Sequence, residues 1–282
     1  MSLGRVTPSP GRQTIADLSW ASLRVPRCTL TARLAIPRAL AARAALPSPR
    51  PPWTVLFTKA FALAAEAQPA LRRLHATLPS PRLLEAPHAI GCVVLERAHA
   101  GQTILAIARF TEPYATPIPR LAALLRHAKE APPGESRHLY RLLRFARLPW
   151  PLRRLMLRFA LATGAPLVRY GGTFAVSSLG SRHAAIVDSV SVLPCFLSYG
   201  LIAADGGVDL FLSFDHRVMD GADGAAALRG LEAAMEGPVA AELCGLMPAG
   251  QSMGRSMDRS EAANAARRAC GEAKGNRRPP NV

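Results

Sequence analysis

The chain has 282 residues, of which 49% are hydrophobic, so it is long enough to bury a substantial core. Its formal net charge of +16 is concentrated in separate arginine-rich segments, and no basic strand with interleaved aromatic residues and no recognisable nucleic-acid-binding module accompanies them, so nucleic acid is not an expected partner. No apolar run reaches the roughly 18 residues that a membrane-spanning helix needs, and no secretory leader is recognisable, so we expect a cytoplasmic location.

The two ends of the chain differ in composition from its body. Residues 1–11 and 244–282 are rich in Gly, Pro, Ser, Arg and Ala and show little hydrophobic periodicity. This composition predicts two flexible tails, the second of them basic. The body between them, residues 12–243, is predicted to form one domain.

An alanine-rich stretch from Thr58 to Leu71 is the first predicted helix with a distinctive pattern. Its apolar residues recur at helical spacing. The spacing alone predicts an ordinary amphipathic helix and no function.

A strongly basic segment lies in the middle of the chain. Residues 137–158 contain seven arginines and no acidic residue. Over residues 137–147 the arginines and the leucines fall on opposite helical faces. Pro149 and Pro151 end this helix and begin a second one, so we predict a basic helical segment over about 137–162.

A glycine pair opens the next motif. The run from Gly171 to Gly180 is Gly-Gly-Thr-Phe-Ala-Val-Ser-Ser-Leu-Gly, with a β-prone centre and two serines, Ser177 and Ser178, near its end. On its own this pattern predicts a strand followed by a turn.

Further along the chain a strand pattern gives way to a helix pattern. Alternating apolar residues over 208–214 predict a strand with one buried face, and helix-forming residues occupy 225–235. The connection, residues 213–221, is Ser-Phe-Asp-His-Arg-Val-Met-Asp-Gly. His216 is therefore predicted to lie in a tight turn at a strand end, where a rigid scaffold can present it to a cleft.

His216 fits the role of a general base. Acyl transfer from a thioester needs a base that takes the proton of the attacking group, and histidine titrates in the useful range. A neighbouring carboxylate, Asp215 or Asp220, can hold the ring in one tautomer or organise the loop by accepting backbone N–H bonds. An isolated Asp-His pair more often belongs to a capped loop, so the inference depends on the full string Asp-His-Arg-x-x-Asp-Gly.

That string, Asp215-His216-Arg217 with Asp220-Gly221, resembles the signature of the 2-oxo acid dehydrogenase acyltransferase catalytic domain. This family comprises the dihydrolipoamide acyltransferases, which are related to chloramphenicol acetyltransferase. The run from Gly171 to Gly180 is similar to the family's Gly-Gly-Thr-Phe-Thr-Ile-Ser-Asn-Leu-Gly and occurs in the family's order. The helix from Thr58 to Leu71 resembles a family helix more weakly.

The resemblance implies a fold and an activity. The fold is α/β, a chloramphenicol acetyltransferase-like α+β two-layer sandwich with a mixed sheet flanked by helices. The activity is transfer of an acyl group between a thioester, carried by coenzyme A or acyl carrier protein, and a thiol, hydroxyl or amine acceptor. Coenzyme A thioester is then a substrate, and no tightly bound cofactor is expected.

The resemblance also assigns roles to residues of this chain. His216 is the general base, Asp220 completes its motif, and the Ser177 hydroxyl stabilises the oxyanion, a contribution of roughly 2.7–4 kcal/mol for such donors. Supporting roles fall to Asp215, Arg217, Gly221 and Ser178, with Arg217 expected in a structural ion pair. In the family the serine and the histidine come from different subunits, so a homotrimer or an assembly of trimers is implied.

Several features depart from the complex-forming members of the family. The basic helical segment over about 137–162 stands where those members have a shorter helix of mixed charge, so the resemblance implies that it is an insertion. None of the three lysines has the sequence context that carries lipoate, so we expect a stand-alone enzyme without a lipoyl domain. Ser178 stands in the place of the family's asparagine, and residues 181–188 replace a Gly- and Pro-containing segment, so the acceptor is not specified. No histidine or cysteine spacing indicates a metal site.

Two questions stay open at the level of sequence. The basic segment is interpreted as a solvated structural face, a membrane-surface helix, or a docking site for an acidic partner such as acyl carrier protein or the coenzyme A phosphates. The alternative to an enzyme is a non-catalytic scaffold or an acyl- or carrier-binding protein on the same fold, associated with a membrane surface.

Overall fold

The computed structural model describes residues 4, 6–99, 102–132, 135–179 and 184–247, except for the side chains of residues 99 and 102. Most of the predicted C-terminal tail lies outside these residues. At the other end, the first helix already begins at Pro10, inside the predicted tail 1–11, because Ser9 caps it by accepting a hydrogen bond from the backbone N–H of Arg12.

Helices and strands alternate irregularly along the described chain. The helices are α1 (Pro10–Ser22), α2 (Pro37–Ala44), α3 (Trp53–Ala67), α4 (Ile118–Glu130), α5 (Arg137–Arg147), α6 (Trp150–Thr163), α7 (Ala165–Tyr170), α8 (Gly221–Ala234) and α9 (Ala240–Gly245). The strands are β1 (Arg27–Ala35), β2 (Arg73–Ala76), β3 (Arg82–Glu85), β4 (Ile90–His99), β5 (Gln102–Thr111), β6 (Phe174–Ser178), β7 (Cys195–Ile202) and β8 (Gly207–Asp215). A 3-10 turn (Pro69–Arg72) follows α3, and a π-helical segment (Met235–Val239) joins α8 to α9.

Six of the strands form one mixed sheet in the order β1-β8-β7-β6-β4-β5. β6 runs parallel to both of its neighbours, β4 and β7, and the other adjacent pairs are antiparallel. β2 and β3 form a separate two-stranded sheet. The prediction of a mixed sheet flanked by helices is therefore confirmed.

The main core lies between one face of the sheet and the helices α3 and α8. Phe174 and Val176 of β6 and Leu197 of β7 contribute to it, together with Phe57 and Phe61 of α3. The predicted helix at Thr58 to Leu71 thus corresponds to the second half of α3 and the 3-10 turn. Four of its alanines, Ala60, Ala62, Ala64 and Ala65, are buried because α3 packs closely against its neighbours.

The opposite face of the sheet carries a smaller apolar cluster. It contains Cys92, Ala175, Leu193 and Phe196. The connection that precedes β7 covers part of this face, and the Ser198 hydroxyl fastens it by donating a hydrogen bond to the carbonyl of Ile186. Residues of β6 that point to this side therefore lie beside the connection and away from the main core.

The basic segment forms two helices, α5 and α6, which are separated at Pro149. Arg153 of α6 is buried, and its Nε donates to Asp17 Oδ2 of α1 at 2.5 Å. The same guanidinium donates to the carbonyl oxygens of Ala146 and Leu148, at the C-terminal end of α5. One buried arginine therefore ties α6 to both α1 and α5.

Within the residues that the structure describes, no helix combines the length and the apolar character needed to cross a membrane.

Lys59 is a buried structural cation on α3. Its ammonium lies 2.7 Å from Glu242 of α9 and donates to the carbonyl of Thr116 at 2.7 Å. Glu242 also accepts a hydrogen bond from the backbone N–H of Ile118, at the start of α4. The pair therefore joins three helices.

We predict that Lys59→Met lowers the free energy of unfolding by about 3 kcal/mol, because it leaves a largely buried carboxylate without its cation. The exposed Lys129 on α4 supplies the control, since Lys129→Met is expected to change stability by less than about 0.5 kcal/mol. Urea denaturation of both variants measures the difference. Equal midpoints would contradict a structural role for Lys59.

Candidate active site

His216 follows directly after β8, as the strand pattern predicts. Its backbone N–H donates to the carbonyl of Pro26 at 2.8 Å, and the N–H of Asp215 donates to the carbonyl of Pro194 at 2.9 Å. The turn that carries the imidazole is therefore fixed to the residue before β1 and to the residue before β7. The His216 side chain is exposed at this end of the sheet.

The orientation of the imidazole is determined by a backbone carbonyl. His216 Nδ1 lies 2.9 Å from the carbonyl oxygen of Met219. A carbonyl only accepts hydrogen bonds, so Nδ1 carries the proton and Nε2 keeps its lone pair in the neutral ring. The edge of the ring also contacts Phe214, with centroids 6.1 Å apart at 87°. The arrangement presents Nε2 as a proton acceptor.

Asp215 is buried and holds the loop rather than the ring. Arg217 donates to it from Nε at 2.9 Å and from Nη2 at 2.7 Å, and the backbone N–H of Arg217 donates at 3.0 Å. This bidentate guanidinium–carboxylate contact is the structural ion pair expected for Arg217. Of the two roles expected for a neighbouring carboxylate, the hydrogen bonds show the second, in which it organises the loop by accepting backbone N–H bonds. The imidazole is oriented instead by the Met219 carbonyl, which the short turn brings to Nδ1.

Asp220 is the N-cap of α8. Its carboxylate accepts hydrogen bonds from the backbone N–H groups of Ala222 and Asp223, and the Asp223 carboxylate accepts one from the backbone N–H of Asp220. This capping box starts the helix at Gly221, four residues before the segment 225–235 in which we predicted it. Asp220 therefore fixes the end of the His216 turn, and its carboxylate is exposed.

Ser177 and Ser178 end β6 on opposite sides of the sheet. Ser178 Oγ donates to the carbonyl of Tyr199 on β7 at 3.2 Å. Ser177 is buried on the side of Ala175, and none of the described residues forms a hydrogen bond with its hydroxyl. That hydroxyl is available as a donor. The segment 181–188 is the one that differs from the family's Gly- and Pro-containing segment, and its residues 181–183 lie outside the described part of the chain.

The glycine pair before β6 permits close contact with β4. Gly172 has a φ of +151°, and a Cβ at this position would lie 2.5 Å from the carbonyl oxygen of Ile90. The backbone N–H of Thr173 donates to the carbonyl of Ile90, and the backbone N–H of Ile90 donates to the Thr173 hydroxyl. The pair thus sets the start of the strand that ends in Ser177.

The sheet places Ser177 and His216 far apart within one chain. Ser177 is opposite Ser198 of β7, which is opposite Phe211 of β8. The four-residue step from Phe211 to Asp215 covers about 14 Å along β8, and two strand spacings add about 10 Å across the sheet. One substrate carbonyl therefore cannot contact both side chains of the same subunit.

Arg27 is a supporting residue that the sequence did not single out as part of the site. Its guanidinium donates to Ser213 through Oγ at 2.8 Å and the backbone carbonyl at 2.7 Å, and to the carbonyl of Leu193 at 2.8 Å. Burial lowers the pKa of Arg27, although the group stays charged near neutral pH. Its position at the start of β1, opposite Asp215, is visible only once β1 is known to pair with β8.

Among the residues that the structure describes, no group of three histidine, cysteine, aspartate or glutamate side chains is placed to bind a metal ion.

We predict that Asp220→Ala lowers the free energy of unfolding by about 1 kcal/mol, because α8 loses its N-cap. Asp220→Asn retains a side-chain acceptor and is expected to recover most of this loss. Chemical denaturation of both variants against the unaltered protein measures the effect. Equal losses in the two variants would show that the cap does not account for it.

Solved structures provide the comparison for this fold. A probable dihydrolipoamide acetyltransferase from Listeria monocytogenes 4b F2365 is 18% identical, with a TM-score of 0.57, over 83% of this chain and 94% of that one. The dihydrolipoamide acetyltransferase of Azotobacter vinelandii is 17% identical, with a TM-score of 0.55, over 83% of this chain and 91% of that one. A truncated catalytic core of the 2-oxoacid dehydrogenase multienzyme complex from Thermoplasma acidophilum is 13% identical, with a TM-score of 0.56, over 84% of this chain and 99% of that one.

Comparison of the amino-acid sequence with protein families and curated proteins gives no match. The similarity thus lies in the three-dimensional arrangement. The chain has the fold of these dihydrolipoamide acetyltransferase and 2-oxoacid dehydrogenase catalytic cores, as the two sequence motifs predicted.

Proposed function

We propose that the protein is an acyltransferase that moves an acyl group between a thioester and a thiol, hydroxyl or amine acceptor. The thioester is carried by coenzyme A or by a carrier protein. The observation that carries the proposal is the exposed His216 imidazole, whose Nδ1–H is held by the Met219 carbonyl so that Nε2 is the base. The shared fold with acyltransferase cores supports the same conclusion.

The chemical steps follow from this geometry. Nε2 of His216 takes the proton of the acceptor as the acceptor atom attacks the thioester carbonyl. The resulting imidazolium keeps its Nδ1–H bond to the Met219 carbonyl, which stabilises the new positive charge. When the tetrahedral intermediate collapses, the carbon–sulfur bond breaks and Nε2 returns the proton to the leaving thiolate.

The oxyanion donor in the proposal is Ser177 of a neighbouring subunit. Within one chain Ser177 lies too far from His216, whereas its hydroxyl has no described partner and can donate to an oxyanion. A symmetric trimer can bring the serine end of one sheet to the histidine end of the next. The similar Azotobacter vinelandii structure concerns a serine, a histidine and an asparagine four residues later in that enzyme's catalytic mechanism. Here Asp220 stands four residues after His216.

Assembly beyond a trimer is compatible with the fold. A solved structure of the cubic core of a pyruvate dehydrogenase multienzyme complex has a TM-score of 0.54 to this chain at 18% identity. The division of Ser177 and His216 between subunits requires at least one neighbour, and we propose a homotrimer as the smallest active unit, as the family resemblance implies. Larger assemblies of trimers are not needed for the chemistry.

We predict that His216→Ala lowers acceptor-dependent release of coenzyme A by about 10²–10⁴-fold and that Ser177→Ala lowers it by about 10²–10³-fold. The assay supplies short-, medium- and long-chain acyl-coenzyme A with dihydrolipoamide, small amines and alcohols. Ser178→Ala is the matched control, since Ser178 contacts Tyr199 and is expected to retain most of the activity.

Two results would contradict this mechanism. If His216→Ala turns over a donor as fast as the unaltered protein, His216 is not the base. If the protein turns over none of these donors, nor their acyl carrier protein counterparts, a non-catalytic scaffold or acyl-binding role on the same fold becomes the better description.

We predict that mixing the two inactive variants restores activity. After dissociation and reassembly of equal amounts of His216→Ala and Ser177→Ala, about one quarter of the shared sites would combine an intact serine with an intact histidine. Activity approaching that fraction supports a site between subunits. No recovery, with mixed trimers demonstrated by mass spectrometry, would place both groups of each site on one chain.

A further inference from the structure

Helix α6 exposes apolar side chains and buries a charged one. Arg153 is only 6% exposed, and Ala160 is buried beside it. On the solvent side lie Leu152, Leu155, Met156 and Phe159, with Leu155 62% and Phe159 58% exposed. These four residues follow helical spacing, so they form a continuous apolar stripe on one face, which we call the α6 stripe.

The burial of Arg153 fixes this orientation. The arginine donates to the buried carboxylate of Asp17 and to two carbonyl groups at the end of α5. Turning α6 so that the stripe faced the protein would move Arg153 away from α1 and leave the buried Asp17 carboxylate without this cation, which is costly. The stripe therefore faces solvent because of a specific ionic contact on the opposite side of the helix.

Three aromatic side chains near the stripe in sequence are also exposed. Trp150 at the start of α6 is 60% exposed, and Tyr140 of α5 and Tyr170 of α7 are about half exposed. A contiguous exposed apolar surface such as the α6 stripe marks an interaction site. Trp and Tyr are also the residues enriched where an apolar phase meets water.

The exposed charge of α5 and α6 is of one sign, because neither helix contains an acidic residue. Five arginines of the two helices are exposed, and none forms an ion pair with a carboxylate of the described residues. They are Arg137, Arg141, Arg144, Arg147 and Arg158. Asp17 neutralises only Arg153 and Arg154. A partner that covers the exposed sides of both helices therefore meets uncompensated positive charge.

We propose that the α6 stripe and the exposed arginines of α5 and α6 bind the surface of an anionic lipid bilayer, with α6 lying in the headgroup region. Leu, Met, Phe and Trp side chains then enter the acyl boundary while the arginines contact lipid phosphates, the division of roles typical of interfacial helices. A symmetric contact between two copies through this face would bring the two sets of arginines together, which like-charge repulsion disfavours.

Co-sedimentation of the full chain with phosphatidylcholine vesicles, with and without phosphatidylglycerol, tests the proposal. We expect binding to the anionic vesicles, weakened by salt, and little binding to the neutral ones. The double substitution Leu155→Ser with Phe159→Ser is expected to lower partitioning by about tenfold or more, because it removes apolar area that would leave water. Arg158→Glu is expected to lower it several-fold.

Helix α4 provides matched controls. Leu124 and Arg120 are exposed on that helix, so Leu124→Ser and Arg120→Glu make the same chemical changes away from the α6 stripe. Both should leave partitioning unchanged. Circular dichroism of every variant checks folding, which substitutions at exposed positions are expected to preserve.

Three results would overturn the proposal. One is failure of the unaltered protein to bind anionic vesicles, and another is equal binding by the α6 and α4 variants. The third is a change of oligomeric state in the α6 double variant without lipid, measured by sedimentation velocity, which would assign the stripe to a contact between copies. None of these results depends on His216 or Ser177, so the test is independent of the proposed acyl transfer.

Discussion

The register of β6, β7 and β8 is the constraint on which the proposed chemistry depends. Because β6 is parallel to β7 and β7 is antiparallel to β8, the C-terminal ends of β6 and β8 point in opposite directions along the strands. Ser177 and His216 are therefore held rigidly and apart. The strand pairing that forms the core therefore also has a consequence for assembly. An active site that uses both Ser177 and His216 needs a second subunit.

Buried ions give the helical layer its geometry. Lys59 with Glu242 fastens α3, α4 and α9 on one side of the sheet, and Arg153 with Asp17 fastens α1 and α6 elsewhere. Apolar packing alone tolerates small rotations of a helix, whereas an ion pair inside the protein has one satisfied geometry. In α6 this preference outweighs the usual burial of leucine and phenylalanine.

The fold and the site differ in how far they could be predicted from the chain. β8, α8 and the two basic helices have local patterns of alternation, helical spacing and proline placement, so they were predicted near their observed positions. The partner of the imidazole was not predicted, because a backbone carbonyl leaves no trace in residue type. The roles of Arg27 and the outward face of α6 depend on contacts between distant segments, which local patterns do not encode.

The hydrogen bond from His216 to the Met219 carbonyl has a consequence for how this turn tolerates mutation. A main-chain acceptor survives any side-chain substitution at its own position, so the tautomer of the ring does not depend on the chemical identity of one neighbour. Substitutions would disturb it only by altering the path of the backbone between Asp215 and Asp220. Sequence drift at the acidic positions can therefore change stability gradually while the proton-accepting nitrogen keeps its orientation.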